Sequence, residues 1–292
     1  MDIVLARNVA LKELKALLYG EKEWVKVHAA EFLIWENLYR NEVWEEFLDE
    51  EQKFAHVPKY RIGMWRILAQ ASIDQKESDS WKKKILAAFE DLSGSDRLHA
   101  IETLAKLKYP VHISEGWLEN LSQSEIDSFT MYCLWNAAYH AQVGEEYVKR
   151  KYISVLKSCE ESNLLYLIGF VMRRFSSLEP SEWDVIYDKM KNVLDDNPLL
   201  ACLLTTLWIT IPPSKEYMVE EIRVALLSLK HEKENLFQIF TALGECGEKL
   251  DWEILTELYK LVNNRNDSKY DADLHATAAY AVLKLSKRMG AE

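Results

Sequence analysis

Hydrophobic and small residues recur along this chain in one nine-residue pattern, at intervals of about 35 residues. Each copy has a small or apolar pair at its centre and an apolar residue at its end, as on the buried face of an amphipathic helix. The five clearest copies span residues 25–33, 60–68, 96–104, 235–243 and 274–282. The first three copies end at Leu33, Leu68 and Leu104, so the steps are 35 and 36 residues. The pattern predicts a helical repeat.

The interval between the third and the next clear copy has room for further repeats. Leu104 and Leu243 are 139 residues apart, which corresponds to four steps of about 35. Apolar helical stretches around residues 134–138, 167–172 and 203–208 fill those steps. We therefore predict eight copies of this helix, which we name helix A.

A second helix, named B, is predicted after each helix A, because an aromatic residue recurs in phase with the repeat. These residues, the aromatic ladder, are Trp44, Trp81, Trp117, Tyr147, Trp183, Tyr217 and Trp252. Each has an acidic residue one or two positions before it. Acidic side chains favour the N-terminal end of a helix, so we expect each aromatic residue in the first turn of B. A position shared by all repeats usually packs between them, which makes the ladder structural.

The first copy, VKVHAAEFL at Val25–Leu33, resembles the short HEAT-like repeats of phycobilin lyase-type proteins, as do the copies at 96–104 and 274–282. The resemblance implies an all-α fold, a right-handed α-α superhelix (HEAT-like solenoid) of about eight helix pairs. We expect a single domain over residues 1–292. Its ends are a capping helix at 5–19 and a terminal helix at 271–288. The scarcity of breakers, 9 Gly and 6 Pro in 292 residues, also favours helices over strands.

Charge and hydropathy argue against two classes of partner. The formal net charge is −11 and the sequence pI is about 5.3, whereas proteins that bind phosphate backbones are usually basic. The longest apolar stretch, residues 199–211, is about thirteen residues long and falls short of the roughly 20 that span a bilayer. We therefore expect neither nucleic acid nor a membrane as partner.

Cysteine usage indicates a reducing compartment. Cys133, Cys159, Cys202 and Cys246 are spaced by 26, 43 and 44 residues, which matches no zinc or redox motif. Most lie in apolar helical runs, as buried thiols do. The N-terminus does not resemble a signal peptide. We expect a cytoplasmic protein with reduced cysteines.

Two His-Glu pairs lie at the same position of two repeats: His28 with Glu31, and His99 with Glu102. Spacing of three residues places each pair on one helical face. The two copies are two repeats apart, or about 20 Å at the usual spacing of packed helices. They are then too far apart to share one metal ion, so we predict no metal site and no cofactor.

Basic residues cluster in two B helices and are the predicted binding residues. They are Lys82, Lys83, Lys84, Lys149, Arg150 and Lys151. An acidic B segment at residues 45–51 flanks them, and the resemblance places B helices on a concave face, which implies a groove banded by charge. The A helices at 164–172 and 199–211 are unusually apolar, which leads to the hypothesis of a homo-oligomer formed through them.

The chain shows no phosphate loop, G-x-S-x-G, H-E-x-x-H or calcium-loop motif. We therefore expect a non-catalytic scaffold or interaction module that binds an extended protein or peptide on its concave face. One alternative is a carbohydrate-related binding protein or enzyme that uses the aromatic and carboxylate residues. Another is a HEAT-like DNA glycosylase, which the acidic chain disfavours.

Overall fold

The fold is all-α, which confirms the predicted class. A computed structural model describes residues 1–112, 126–175, 177–263 and 271–291, and these ranges contain helices and connecting turns without a β-strand. The first helices are α1 (Ile3–Gly20), α2 (Glu23–Trp35), α3 (Arg40–Phe54), α4 (Tyr60–Ala71), α5 (Gln75–Glu90), α6 (Arg97–Lys106) and α7 (Ser128–Ala137). The others are α8 (Glu145–Ser158), α9 (Ser162–Met172), α10 (Pro180–Met190), α11 (Asn197–Ile209), α12 (Val219–Ser228), α13 (Leu236–Cys246), α14 (Trp252–Val262) and α15 (Ala272–Arg288).

The predicted alternation of A and B helices is present in the described residues. Helices α2, α4, α6, α7, α9, α11, α13 and α15 occupy the eight A positions. Helices α3, α5, α8, α10, α12 and α14 occupy B positions. The B helix expected around Trp117 lies outside the described residues. Short 3-10 helices precede three of the later helices: Pro213–Met218, Lys233–Asn235 and Lys249–Asp251.

The helices group into two compact units. Unit 1 comprises residues 1–19 and 152–292, and unit 2 comprises residues 20–151. In unit 2, α2 packs on α4, α4 on α6 and α6 on α7. In unit 1, α9 packs on α11, α11 on α13 and α13 on α15. Within each unit, successive A helices are thus in contact, as in stacked helix pairs. The superhelical arrangement of the whole chain stays a prediction.

The first helix packs within unit 1. It spans Ile3–Gly20, close to the bounds predicted for the capping helix, and it buries Ala6, Ala10 and Leu14. The indole Nε1 of Trp252 donates a hydrogen bond to the main-chain oxygen of Met1 at 2.9 Å, across 251 residues of sequence. Stacking of neighbouring repeats alone does not predict this contact.

The aromatic ladder is mostly packed, with one exception. Trp183 and Trp252 are buried, and Trp44, Trp81 and Tyr147 are half-buried. Tyr217 is 78% exposed. Tyr147, Trp183 and Trp252 lie in the first turn of a helix as predicted, Trp44 and Trp81 lie further in, and Tyr217 lies in a 3-10 helix. Trp117 lies outside the described residues.

The central small residues of the A pattern are buried where helices touch. Ala29, Ala100 and Ala278 have no exposed surface. Ala100 lies in a core with Ile62 from the preceding A helix and Cys133 from the following one. Since protein interiors are close-packed, a larger side chain at this position has no room.

Replacing Ala100 by glutamate is expected to destabilise the chain by about 3 kcal/mol or more, because the substitution both overpacks the core and buries a charge. Thermal unfolding followed by far-ultraviolet circular dichroism measures the loss. Leu98→Glu is the matched control, since Leu98 lies two residues earlier in α6 and is 37% exposed. Equal melting temperatures for Ala100→Glu and the parent chain would contradict the packing of α6.

Candidate functional site

The first predicted basic cluster lies on α5, and its three lysines have different surroundings. Lys82 Nζ lies 3.3 Å from Asp79 Oδ1 within the same helix. Lys84 Nζ donates to Glu51 Oε1 of α3 at 2.9 Å, so part of this cluster joins two B helices. Lys83 is exposed. Lys84 is exposed as well, but its ammonium group is paired with Glu51.

The second basic cluster lies on α8, and its three residues also differ from one another in exposure and in partners. Lys149 is buried, at 1% exposure, and its Nζ lies 2.6 Å from Glu146 Oε1. Lys151 Nζ lies 5.5 Å from the centre of the Tyr147 ring, a cation–π distance. Arg150 is exposed. Sequence spacing therefore identified the cluster but did not reveal that Lys149 points into the protein.

The acidic segment at residues 45–51 is partly engaged by residues of the A helices. Lys26, which is buried in α2, places its Nζ 2.5 Å from Glu46 Oε1 and 2.8 Å from Glu50 Oε1. Glu51 accepts a hydrogen bond from Trp65 Nε1 at 3.2 Å, in addition to the one from Lys84. These carboxylates bind α3 to the neighbouring helices. Fewer acidic side chains of residues 45–51 are therefore available at the surface than the sequence implies.

A group of charged and aromatic side chains lies on the A helices of unit 2, and we name it the A-face cluster. Its members are Trp24, His28, Glu31, Arg66, Gln70, His99, Glu102 and Lys106. Glu31, Arg66 and Glu102 are separated by 35 and 36 residues, so they occupy the same position in α2, α4 and α6. Charge therefore alternates in sign from one repeat to the next.

A buried ion pair connects the first two of these helices. Arg66 Nη2 donates to Glu31 Oε2 at 2.7 Å, and Gln70 Nε2 donates to Glu31 Oε1 at 2.9 Å. Burial by itself raises the pKa of Glu31, but Arg66, Lys106, His28 and the hydrogen bond from Gln70 outweigh it and hold the pKa below the usual range. The carboxylate is therefore ionised and has two hydrogen-bond partners.

Glu102 has a similar setting on α6. Its Oε1 lies 2.6 Å from Lys106 Nζ, one turn further along the helix. Burial raises the pKa of Glu102, and Lys106, Arg66 and His99 lower it by more, so the net pKa is below the usual value. A general acid at neutral pH needs a raised carboxyl pKa, and neither Glu31 nor Glu102 has one.

Trp24 brings the two histidines of the cluster together. Its ring stacks on His99 at a centroid distance of 5.6 Å and lies 6.3 Å from His28. A Cβ on Gly63, in the helix between them, would approach Trp24 Cζ3 to 3.1 Å, so the indole crosses α4 because residue 63 has no side chain. The rings of His28 and His99 both lie near the Trp24 ring, so the separation of about 20 Å that helix spacing predicts for the two histidines is wrong.

The A-face cluster has a partly exposed aromatic rim. Trp35 is 43% exposed, and its Nε1 donates to Gln70 Oε1 at 2.9 Å. The Phe32 ring lies 5.7 Å from Trp35 and 6.5 Å from His28. The described residues contain no group of three or more His, Cys, Asp or Glu side chains that could hold a metal ion. The charged side chains of the A-face cluster therefore pair with one another and stabilise the helix packing, and the partly exposed Trp35 at its edge can contact a partner.

Sequence analysis singled out both His-Glu pairs but missed Arg66, Gln70 and Trp24. A signal for two of them was available. Arg66 follows Glu31 by 35 residues, and Gln70 follows Trp35 by 35, so aligning the repeats puts each pair in register. No comparable signal marks Trp24, because its contact with His99 depends on the glycine between them.

The cysteines in the structure are free thiols, and two are buried. Burial raises the pKa of Cys133 to about 12, and it also raises the pKa of Cys202. Both thiols are therefore protonated at neutral pH, which is the opposite of what a nucleophilic cysteine requires.

The two apolar A helices are covered inside unit 1. Every residue from Leu199 to Trp208 is buried, and in α9 the main exposed apolar side chain is Tyr166, at 37%. Little apolar surface of these two helices is exposed, and the homo-oligomer stays a prediction. Among the described residues, no helix combines the length and the hydropathy needed to cross a membrane.

Comparison with known protein families, with curated proteins and with solved structures finds no match to this chain. Its interpretation therefore depends on the repeat pattern and on the contacts described above.

Replacing Arg66 by methionine is expected to cost about 3–5 kcal/mol of stability, because it leaves Glu31 buried without its cation. The double variant Glu31→Gln, Arg66→Met removes both charges and keeps the partner of Gln70, so we expect a smaller loss. Urea unfolding followed by circular dichroism compares the two. A double variant as unstable as the single one would show that the ion pair does not govern this site.

The stability contributed by His99 is expected to depend on pH. Burial, together with Lys59 and Lys106, lowers the pKa of His99 below 6.5 against the opposing effect of Glu102 and Asp96. The unfolded chain then takes up a proton near pH 6.5 that the folded chain does not, so the free energy of unfolding falls as the pH drops through that value.

His99→Gln removes this proton uptake, and the variant is expected to lose less stability than the parent chain between pH 7.5 and 5.5. Urea unfolding at a series of pH values measures the difference. The window lies above the lowered pKa values of Glu31 and Glu102, which stay ionised throughout. Parallel stability curves for the two chains would contradict a lowered pKa at His99.

Proposed function

We propose that this chain is a non-catalytic interaction module, a HEAT-like helical array that binds an extended segment of a partner protein. The observation that carries the proposal is the set of bonds between residues one repeat apart. Arg66 with Glu31 and Arg61 with Asp96 are each separated by 35 residues, and Thr206 with Gly169 by 37. Such arrays present long continuous surfaces, and the natural use of those surfaces is to bind extended partners.

The electrostatics of the A-face cluster support binding over catalysis. Its two carboxylates have lowered pKa values and cationic partners, so they are stabilised as charges instead of being poised to transfer protons. The carbohydrate alternative needs open aromatic faces. Trp35 is the only exposed tryptophan in the described ranges, so that alternative would depend on Trp35 and on exposed tyrosines such as Tyr217 and Tyr19.

For the binding surface we propose the exposed basic residues of the B helices. Lys83, Lys84 and Arg150 are exposed, and Lys82 and Lys151 are partly accessible beside them. Lys149, which the sequence places among the binding residues, does not belong to this surface because its side chain is buried. Four free thiols support a reducing compartment, so we retain the cytoplasm as the proposed location.

Charge reversal at Lys83 and Arg150 tests the proposal. Wild-type chain is expressed in its native cells, cross-linked, purified and analysed by mass spectrometry, alongside Lys83→Glu, Arg150→Glu. We expect one partner to cross-link near these helices and its recovery to fall about tenfold in the variant, because charged contacts guide association.

The matched control reverses two other exposed lysines, Lys12→Glu and Lys260→Glu, which changes the net charge by the same amount. The control is expected to retain the partner. Absence of any specific cross-linked protein from the wild-type sample would contradict an interaction role. Equal loss in both variants would show that net charge, and not the B-helix surface, governs binding.

A further inference from the structure

Tyr217 is the one member of the described aromatic ladder whose side chain is almost entirely exposed, at 78%. Val224, seven residues later in α12, is 54% exposed. Both side chains are exposed, whereas Ile222 and Leu226 of α12 are buried. An aromatic and an aliphatic side chain seven residues apart in the sequence thus both lie at the surface of unit 1.

The neighbouring residues expose carboxylates. Glu216 precedes Tyr217, and Glu220 and Glu221 lie three and four residues after it; all three are exposed. The Tyr187 hydroxyl donates to Glu221 Oε1 at 3.2 Å, which extends the surface to α10. Exposed apolar side chains with a polar rim are typical of a protein-binding surface.

The neighbouring cations are turned towards the protein. Lys215 Nζ lies 2.8 Å from Asp184 Oδ1, and its side chain is 21% exposed. Arg223 pairs with the buried Asp251 and also with Glu220 of this surface, and its side chain is 16% exposed. Both cations are therefore paired with carboxylates and only partly exposed, and the exposed carboxylates of Glu216, Glu220 and Glu221 outnumber them around Tyr217.

We infer that this surface, formed by Glu216, Tyr217, Glu220, Glu221 and Val224, binds a basic segment of a partner protein that carries an aliphatic side chain among its Lys or Arg residues. Charge complementarity selects the basic partner over an acidic one or a second copy of this acidic chain. Tyrosine is among the residues that most often dominate binding energy, and here Tyr217 is the anchor. The inference rests on the proposed function, since it assigns a partner class to an interaction module.

Fluorescence anisotropy with a defined probe tests the inference on the full chain. The probe is a short fluorescein-labelled peptide of lysine, leucine and glycine, and a second peptide has glutamate in place of lysine. We expect the lysine peptide to bind, more weakly at high salt, and the glutamate peptide not to bind. Tyr217→Ala and Glu216→Lys are each expected to weaken binding about tenfold.

Two exposed positions elsewhere supply matched controls. Tyr19→Ala removes a tyrosine that is 53% exposed in α1, and Glu90→Lys reverses an exposed charge in unit 2. Both controls are expected to bind the lysine peptide like the parent chain. Thermal unfolding of all variants checks that exposed substitutions leave the fold intact.

The inference is overturned if the lysine peptide does not bind, if Tyr217→Ala and Glu216→Lys bind as tightly as the controls, or if the glutamate peptide binds equally well. Each of these results leaves the interaction role standing as long as the cross-linked partner is still recovered and is still lost on reversing Lys83 and Arg150. Failure of both experiments would reject the interaction role itself.

Discussion

Close contact between successive A helices is the constraint on which the other features depend. At three such contacts a glycine faces its neighbour: Gly63 faces Val27 and Trp24, Gly169 faces Cys202 and Thr206, and Gly244 faces Ala281. A Cβ on any of them would lie about 3 Å from those atoms. Helices this close exclude water from the contact, so polar groups there must find partners in the protein. Thr206 Oγ1 donates to the Gly169 carbonyl at 2.9 Å for this reason.

The same constraint explains how the charges are distributed. Glu31 and Arg66 are buried because their helices touch, and only mutual pairing makes that burial tolerable. Lys26 and the carboxylates of α3 are joined in the same way. Charged side chains that are paired between helices are not available to a partner, so only the remaining exposed charges can contact one. Lys83, Arg150 and the face around Tyr217 are notable because packing leaves them exposed.

Periodicity predicted the helices well because each helix buries one face, so apolar residues recur about once per turn. All eight A helices were placed, and the terminal helix was bounded within a residue. Periodicity gives the phase of a residue but not the space available to its side chain. Lys149 was therefore expected on the surface and is buried, and the contact between Trp252 and Met1 was not foreseen. Trp24 contacts His99 beside Gly63, where a Cβ would crowd the indole ring.

Tyr217 shows how local geometry separates one repeat from the others. Its phase in the sequence matches Trp183 and Trp252, both of which are buried. Tyr217, however, follows two prolines and lies in the 3-10 helix Pro213–Met218. Trp183 and Trp252 lie in the first turn of an α-helix, whereas Tyr217 lies before α12 begins. Its side chain is exposed to the solvent, where it is available to a partner.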